Sequence, residues 1–252
     1  MHTLLGMLTA FFATVLFAPV VLLASLLRVP ERPGSIYERC MRWWARSINW
    51  ATGSRVVVHG TPVQPSDQGA VYIANHVSWL DVTAIAAVLP RFTFVAKSEL
   101  QKVPLFGRGA SAAGVVFVER ENRKSAFESY KLATREVQRG RNIVVFPEGT
   151  RGVEYPLRTF KKGPFVLAIA AGAPVVPTLI YGSRERLPKG SLLARPGEIH
   201  LHFLEPVPTA GLTYEDRGKV MERVREVMAR ALQDIYGVTA AAAPSGRARA
   251  SA

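Results

Sequence analysis

Residues 3–27 carry no charged side chain and are built mainly from Leu, Phe, Ala and Val, and no other stretch limits the folding options of this chain so sharply. At about 1.5 Å rise per residue, roughly 24 such residues make about 36 Å of helix, enough to cross a hydrocarbon core of about 30 Å. The start Met1-His2-Thr3 lacks a charged n-region and no clean small-residue cleavage site follows, so the segment does not read as a cleaved signal. Pro19 sits inside it and is expected to kink or break the helix. A spanning helix and a Pro-kinked, half-inserted hairpin both fit, whereas a buried core helix fits less well because the segment is apolar all round. Arg28, Arg32, Arg39, Arg42 and Arg46 crowd the far side. The positive-inside rule then puts the bulk of the chain on the cytoplasmic face of the inner membrane, held there as a monotopic or single-pass protein. Met41, Trp43, Trp44, Ile48 and Trp50 lie among Arg42 and Arg46, the mixture expected of an interfacial helix. Residues 1–54 therefore read as a membrane anchor.

The remainder is long enough for a substantial core, the whole chain having 252 residues. A formal net charge of +13, from 32 Lys and Arg against 19 Asp and Glu, favours an anionic partner: nucleic acid, anionic lipid or a phosphorylated substrate. The basic residues are mostly Arg scattered between apolar runs, without the aromatic-interleaved stripe of an RNA reader, so nucleic acid ranks below membrane. The single cysteine, Cys40, cannot form an intrachain disulfide, and no metal-type Cys/His spacing surrounds it.

From residue 55 the pattern is that of an α/β domain. Short apolar runs at 55–59, 70–74, 91–96, 114–118, 142–146, 174–181 and 198–204 read as strands, with 70–74 wholly apolar and central. Helices are expected at 79–89, 122–139, 163–171 and 214–236. This alternation predicts a mixed, largely parallel sheet flanked by helices over residues 55–237, preceded by the membrane-associated helical segment. The tail 238–252 is Ala, Ser, Pro and Arg, too poor in apolar bulk to fold, and is expected to be disordered.

Two motifs carry chemistry. The first is Asn75-His76-Val77-Ser78-Trp79-Leu80-Asp81, a His-x4-Asp pattern. A spacing of five is about 140° apart on a helix, so both side chains cannot share one helical face. They meet if His76 lies in the turn after a strand and Asp81 in the first turn of the next helix. A carboxylate on one ring nitrogen would then leave the other as a base. The bland alternative is a helix cap made by Ser78 and Asp81, with His76 a simple loop residue. The second motif is Phe146-Pro147-Glu148-Gly149-Thr150-Arg151, a turn at a strand end whose Arg151 can grip a phosphate with two parallel bonds. Lys161 and Lys162 follow, and Lys97 and Arg120 add cations at strand ends, where open α/β sheets bind ligands.

In order, these motifs and Ala96-Lys97-Ser98-Glu99-Leu100, Val103-Pro104-Leu105-Phe106-Gly107, Gly114-Val115-Val116-Phe117-Val118-Glu119-Arg120, Phe160-Lys161-Lys162-Gly163 and Val176-Pro177 resemble the lysophosphatidate (1-acylglycerol-3-phosphate) acyltransferases of glycerolipid synthesis. The resemblance runs over residues 70–181. Ser98, Glu119 and Gly152 depart from the pattern, which bears on the acceptor and not on the reaction class. The resemblance implies His76 as general base, Asp81 as its orienting carboxylate, and Lys97, Arg120 and Arg151 as ligands of the acceptor phosphate. Glu148, Gly149 and Thr150 would shape that pocket. It implies an acyl group moving from acyl-CoA or acyl carrier protein to the sn-2 hydroxyl of lysophosphatidate at a membrane, with no cofactor. The alternatives are acylation of another lyso-lipid, such as a lyso-ornithine lipid or other lysophospholipid, and, more remotely, a non-enzymatic membrane-surface lipid-binding protein.

Other features point nowhere further. No Gly-x-Ser-x-Gly elbow is present, and Gly107-Arg108-Gly109 with Gly114 lacks dinucleotide-binding spacing. Glu198, His200 and His202 alternate on one strand and are expected to form a solvated face opposite Ile199, Leu201 and Phe203, without a metal.

Overall fold

A computed structural model describes residues 1–62, 68–119 and 121–239. Seven strands form one sheet: β1 (Ser54–His59), β2 (Val71–Ala74), β3 (Phe92–Lys97), β4 (Val116–Val118), β5 (Asn142–Val145), β6 (Val175–Tyr181) and β7 (Gly197–Phe203). Their order is β1-β7-β6-β2-β5-β3-β4, and every pairing is parallel except β6 with β7. The sheet is therefore mixed and largely parallel, and β2, wholly apolar, stands at its centre with all four residues buried.

Period-two alternation divides the core into two layers. Tyr72, Ala74, Val144 and Val176 face a cluster with Ile85 and Leu89 of α3 (Leu80–Val88 and its cap) and Ala45 and Ile48 of α2 (Ile36–Ala51). Val71, Ile73, Ile143 and Val145 face the other way. They meet Phe165 and Leu167 of α6 (Gly163–Ala171), Val137 of α5 (Arg123–Gln138) and Val224 and Met228 of α8 (Arg217–Tyr236). Two short helices complete the chain, α4 (Phe106–Ala112) and α7 (Ser183–Arg186). The part of the tail from residue 240 onward lies outside the described residues.

The N-terminal helix α1 (His2–Leu26) runs through Pro19 without the break expected from the sequence. Its buried stripe of Gly6, Ala13, Ala18, Val21 and Ala24 spans both sides of Pro19. Packed residues thus stand on both sides of the proline, which supplies no N–H to the helix. The small side chains let α1 lie close against α2 and α4: a Cβ on Gly109 of α4 would come within 2.8 Å of Ala18 Cβ. Trp44 of α2 donates its indole N–H to Thr14 Oγ1 at 3.0 Å, and Cys40, its thiol pKa raised by burial, packs against Val21 and Ala24. The opposite face of α1 exposes Leu4, Leu8, Phe11, Phe12, Leu16 and Leu23, and the helix is long and apolar enough to cross a membrane.

The face of β7 that carries His200 and His202 is not simply solvated. His202 is buried, stacked on His59 of β1 with ring centroids 4.2 Å apart, and within 2.7 Å of the Tyr236 hydroxyl through Nε2. Tyr236 stacks on Tyr181, and Tyr181 on Tyr155, so the end of α8 closes over this edge. Alternation alone could not reveal that covering helix. Among the described residues no group of three or more His, Cys, Asp or Glu side chains could hold a metal.

Burial first, then the neighbouring His59 and His200, pushes the His202 pKa down from 6.5 to about 4. The folded protein keeps this imidazole neutral while the unfolded chain protonates it, so stability falls as pH drops through that window. We expect His202→Gln to flatten the decline between pH 6.5 and 4 by about 1–3 kcal/mol, read from denaturant unfolding at several pH values. An unchanged slope would remove His202 from the acid response.

Candidate active site

Strand β2 ends at Ala74, and the next residue locks the turn that follows. Asn75, buried, donates through Nδ2 to the Ile180 carbonyl at 2.9 Å and accepts the Ile180 N–H on Oδ1 at 2.7 Å, extending the join between β2 and β6 with a side chain. His76 follows, in a turn, and Asp81 lies in the first turn of α3. The Asp81 Oδ2 oxygen accepts the Val77 N–H at 2.7 Å and the Ser78 N–H at 2.8 Å, and lies 2.8 Å from His76 Nδ1. Ser78 Oγ accepts the Leu80 N–H. Asp81 Oδ2 thus serves both the turn and the His–Asp pair, alternatives from spacing alone, although the helix is capped at Trp79 and not at Ser78. An ionised carboxylate only accepts, which puts the imidazole proton on Nδ1 and leaves Nε2 as the basic nitrogen. Among the described residues Nε2 has no hydrogen-bond partner, and the His76 side chain keeps 13% of its surface exposed while Asp81 has none.

The loop after β5 is fastened to His76 through the His76 backbone. Glu148 Oε1 accepts the His76 N–H at 3.1 Å, and the His76 carbonyl accepts the Gly152 N–H at 2.7 Å. The imidazole stacks on Phe146 with centroids 4.0 Å apart. Burial pushes the Glu148 pKa up to about 7, against the opposing backbone N–H of His76. Gly149 turns the chain at φ +78°, a conformation that favours glycine. A side chain at Gly152 would come tight against the Glu154 carbonyl at 3.2 Å, with the His76 carbonyl at an ordinary contact distance of 3.7 Å.

Arg151 lies with its guanidinium carbon 4.8 Å from the centre of the Trp79 ring. Among the described residues its guanidinium has no hydrogen-bond or ion-pair partner. Burial lowers its pKa and the nearby Asp81 charge opposes that shift. Five donors held on an aromatic platform are suited to a planar or tetrahedral anion. Thr150 is exposed beside it. Lys97 ends β3 on the same side of the sheet but pairs with Glu99, and it touches neither Arg151 nor His76. Such an exposed pair contributes little stability and yields readily to another anion. Arg120 lies outside the described residues.

Three supporting residues were not singled out from sequence. Trp79, inside the first motif, carries Arg151. Tyr155 donates its hydroxyl to Glu185 Oε2 at 2.6 Å and accepts the Gly182 N–H at 2.7 Å, latching the Arg151 loop to the end of β6. Lys189 donates through Nζ to the Arg151 carbonyl at 2.8 Å. Only Trp79 had a local signal; the other two act across the fold.

Beside the site, an apolar cavity of about 110 Å³ opens between α1, α2, α3 and α4, lined among others by Phe17, Val21, Trp44, Val82, Phe94 and Phe106. Phe94 stacks on Phe146 at 6.2 Å, so an aromatic file runs from the cavity wall to the His76 ring.

Residues 55–181 match the family described as acyltransferase. The chain is 33% identical over 232 residues to a lyso-ornithine lipid O-acyltransferase of Pseudomonas aeruginosa, covering 83% of this chain and 86% of that protein. It is 32% identical to the human 1-acyl-sn-glycerol-3-phosphate acyltransferase alpha, covering 78% of this chain and 70% of that protein. The crystal structure of the 1-acyl-sn-glycerophosphate acyltransferase PlsC from Thermotoga maritima superposes with a TM-score of 0.76 at 27% identity, covering 96% of this chain and 100% of that one. With the His–Asp turn and the Arg-bearing loop set together at the strand ends, the chain belongs to the lysophosphatidate acyltransferase family.

Proposed function

We propose that this enzyme moves a fatty acyl group from the thioester of acyl-CoA or acyl carrier protein to the sn-2 hydroxyl of lysophosphatidate, giving phosphatidate and a free thiol. The observation that carries the reading is that, among the described residues, neither His76 Nε2 nor the Arg151 guanidinium has a hydrogen-bond partner, while the His76 backbone ties their two loops together. His76 Nε2 takes the hydroxyl proton as the oxygen attacks the thioester carbonyl. The C–O bond forms, the C–S bond breaks, and the imidazolium returns its proton to the leaving sulfur. Asp81 Oδ2, already fixed by two backbone N–H groups, stabilises the imidazolium and contributes to a general-base effect of roughly 10²–10⁴-fold. Arg151 binds the acceptor phosphate, with Lys97 and Arg120 as further cations, and Glu148, Gly149 and Thr150 shape the pocket. The apolar cavity at Phe94 takes an acyl chain.

Residues 1–54 act as the membrane-seated part and residues 55–237 as the catalytic domain. The packing of α1 along α2 and α4, with bulky apolar side chains on its free face, supports a monotopic seat. The cations Arg28, Arg32, Arg39, Arg42 and Arg46 support the cytoplasmic face of the inner membrane.

A second reading is favoured by one specific observation, the 33% identity over 83% of this chain to the Pseudomonas lyso-ornithine lipid O-acyltransferase. The same His76 and Asp81 would then acylate a phosphate-free acceptor. Thiol release measured across a panel of lyso-lipid acceptors decides between the two: turnover with lysophosphatidate supports the first reading, and turnover confined to lyso-ornithine lipid replaces it.

Asp81→Asn keeps an oxygen that can accept the two backbone N–H groups and removes the charge. It should lower kcat by at least about tenfold with a smaller change in acceptor KM, because the charge matters most when imidazolium forms. Unchanged kcat would mean that Asp81 serves the turn alone. Arg151→Ala should raise the acceptor KM by the equivalent of about 1.5–3 kcal/mol and Arg151→Lys should also be impaired, while the thioester KM changes less. Equal losses with phosphate-bearing and phosphate-free acceptors would show that Arg151 supports the loop and does not bind phosphate. Deleting residues 1–27 should release much of the protein from membranes or leave it aggregation-prone, since the packed faces of α2 and α4 lose their cover. Full membrane retention of a well-folded truncation in high salt would contradict the seat assigned to α1.

A further inference from the structure

Residues 187–196 connect α7 to β7 and, with Gly197 at the start of the strand, tie two distant parts of the molecule together. At one end the Leu187 carbonyl accepts the Ser78 hydroxyl at 2.8 Å, and Lys189 reaches the Arg151 carbonyl. At the other end the Ala194 N–H donates to Thr3 Oγ1 at 2.9 Å, and the Gly197 N–H to the Gly53 carbonyl at 2.9 Å. Between these staples Leu192 and Leu193 are 73% and 64% exposed. His2 Nδ1 lies 3.4 Å from the Ala51 carbonyl, so the start of α1 and the end of α2 meet at the same corner. Leu4, Leu5 and Trp50 are exposed there as well.

A leucine side chain left in water forgoes the hydrophobic gain of burial, and two adjacent ones at a loop tip mark a contact surface. The chemistry of the corner selects the occupant. The segment contains Lys189 and Arg195 and no acidic residue, and it is continuous with the free apolar face of α1. Aliphatic side chains at the tip, Trp50 beside them and cations behind suit a bilayer with anionic head groups. We infer that residues 188–196 form a second membrane-seated element, with Leu192 and Leu193 in the hydrocarbon, that holds the Arg151 rim at headgroup level and admits the lyso-lipid acceptor from the leaflet. The seating stands on the corner alone; the entry role rests on the acyltransferase reading above.

The test uses the full chain bearing Cys40→Ala and Leu193→Cys, labelled with a nitrobenzoxadiazole fluorophore and mixed with phosphatidylcholine–phosphatidylglycerol vesicles. The emission should shift to the blue and be quenched by lipids with nitroxide on the acyl chain. The same label on Lys219→Cys, on the exposed side of α8, should not respond. A label at position 193 that stays aqueous on vesicle-bound protein overturns the seating, as does a response to acyl carrier protein with none to vesicles. Leu192→Ser with Leu193→Ser should then cost about tenfold in turnover of an acceptor embedded in vesicles and less than about twofold with a short-chain acceptor dispersed in water. Equal losses on both overturn the entry role. Wild-type protein that releases no thiol with either acceptor sinks the acyltransferase reading instead, and the labelled tip still decides the seating.

Discussion

The structure of the site depends on the hydrogen bonds gathered around His76. Asp81 Oδ2 takes the imidazole and the next two backbone N–H groups, which fixes the ring and the turn together. The His76 N–H and carbonyl are spent on Glu148 and Gly152, which fixes the Arg151 loop against that turn. One residue therefore sets the distance between the imidazole and the Arg151 loop. Asp81 is wholly buried, and its Oδ1 has no hydrogen-bond partner among the described residues, so the carboxylate is committed to the turn through Oδ2 alone. Any change that loosens this oxygen should be felt on both loops at once.

The rest of the fold brings lipid chemistry to that point. Parallel strands β2, β5 and β3 all end on the side where His76, the Arg151 loop and Lys97 emerge, so chain topology gathers residues far apart in sequence. The small-residue stripe of α1 lets it lie close to α2 and α4, and the gap left between these helices is the apolar cavity. Phe94 and Phe146 carry the cavity wall to the imidazole. The imidazole thus lies between an apolar cavity on one side and the Arg151 loop on the other, an arrangement that the acylation of a lyso-lipid proposed above would use.

What could be read from sequence was what local pattern encodes. The wholly apolar run at 70–74 gave the central strand, and the His-x4-Asp spacing gave a pair that meets only across a strand-to-helix turn, as observed. The short helix α4 was missed because Gly107 and Gly109 lower helix propensity; they are there for close approach, Gly109 to α1 and Gly107 to the Gln101 carbonyl. Of the kink or break expected at Pro19, a break does not occur, and the packing of α1 on its neighbours lies outside the reach of local propensity. His202 looked solvated because Tyr236, which covers it, lies 34 residues later. Tyr155 and Lys189 escaped for the same reason: each acts on the Arg151 loop through a contact set by the fold.

The most direct test of this account is thiol release from an acyl thioester by His76→Ala, with lysophosphatidate and lyso-ornithine lipid each offered as acceptor and folding checked by circular dichroism. The account requires a loss of turnover of at least about a hundredfold, with folding and membrane binding retained. Turnover near that of the wild type in a folded protein would remove His76 from the chemistry and contradict the mechanism.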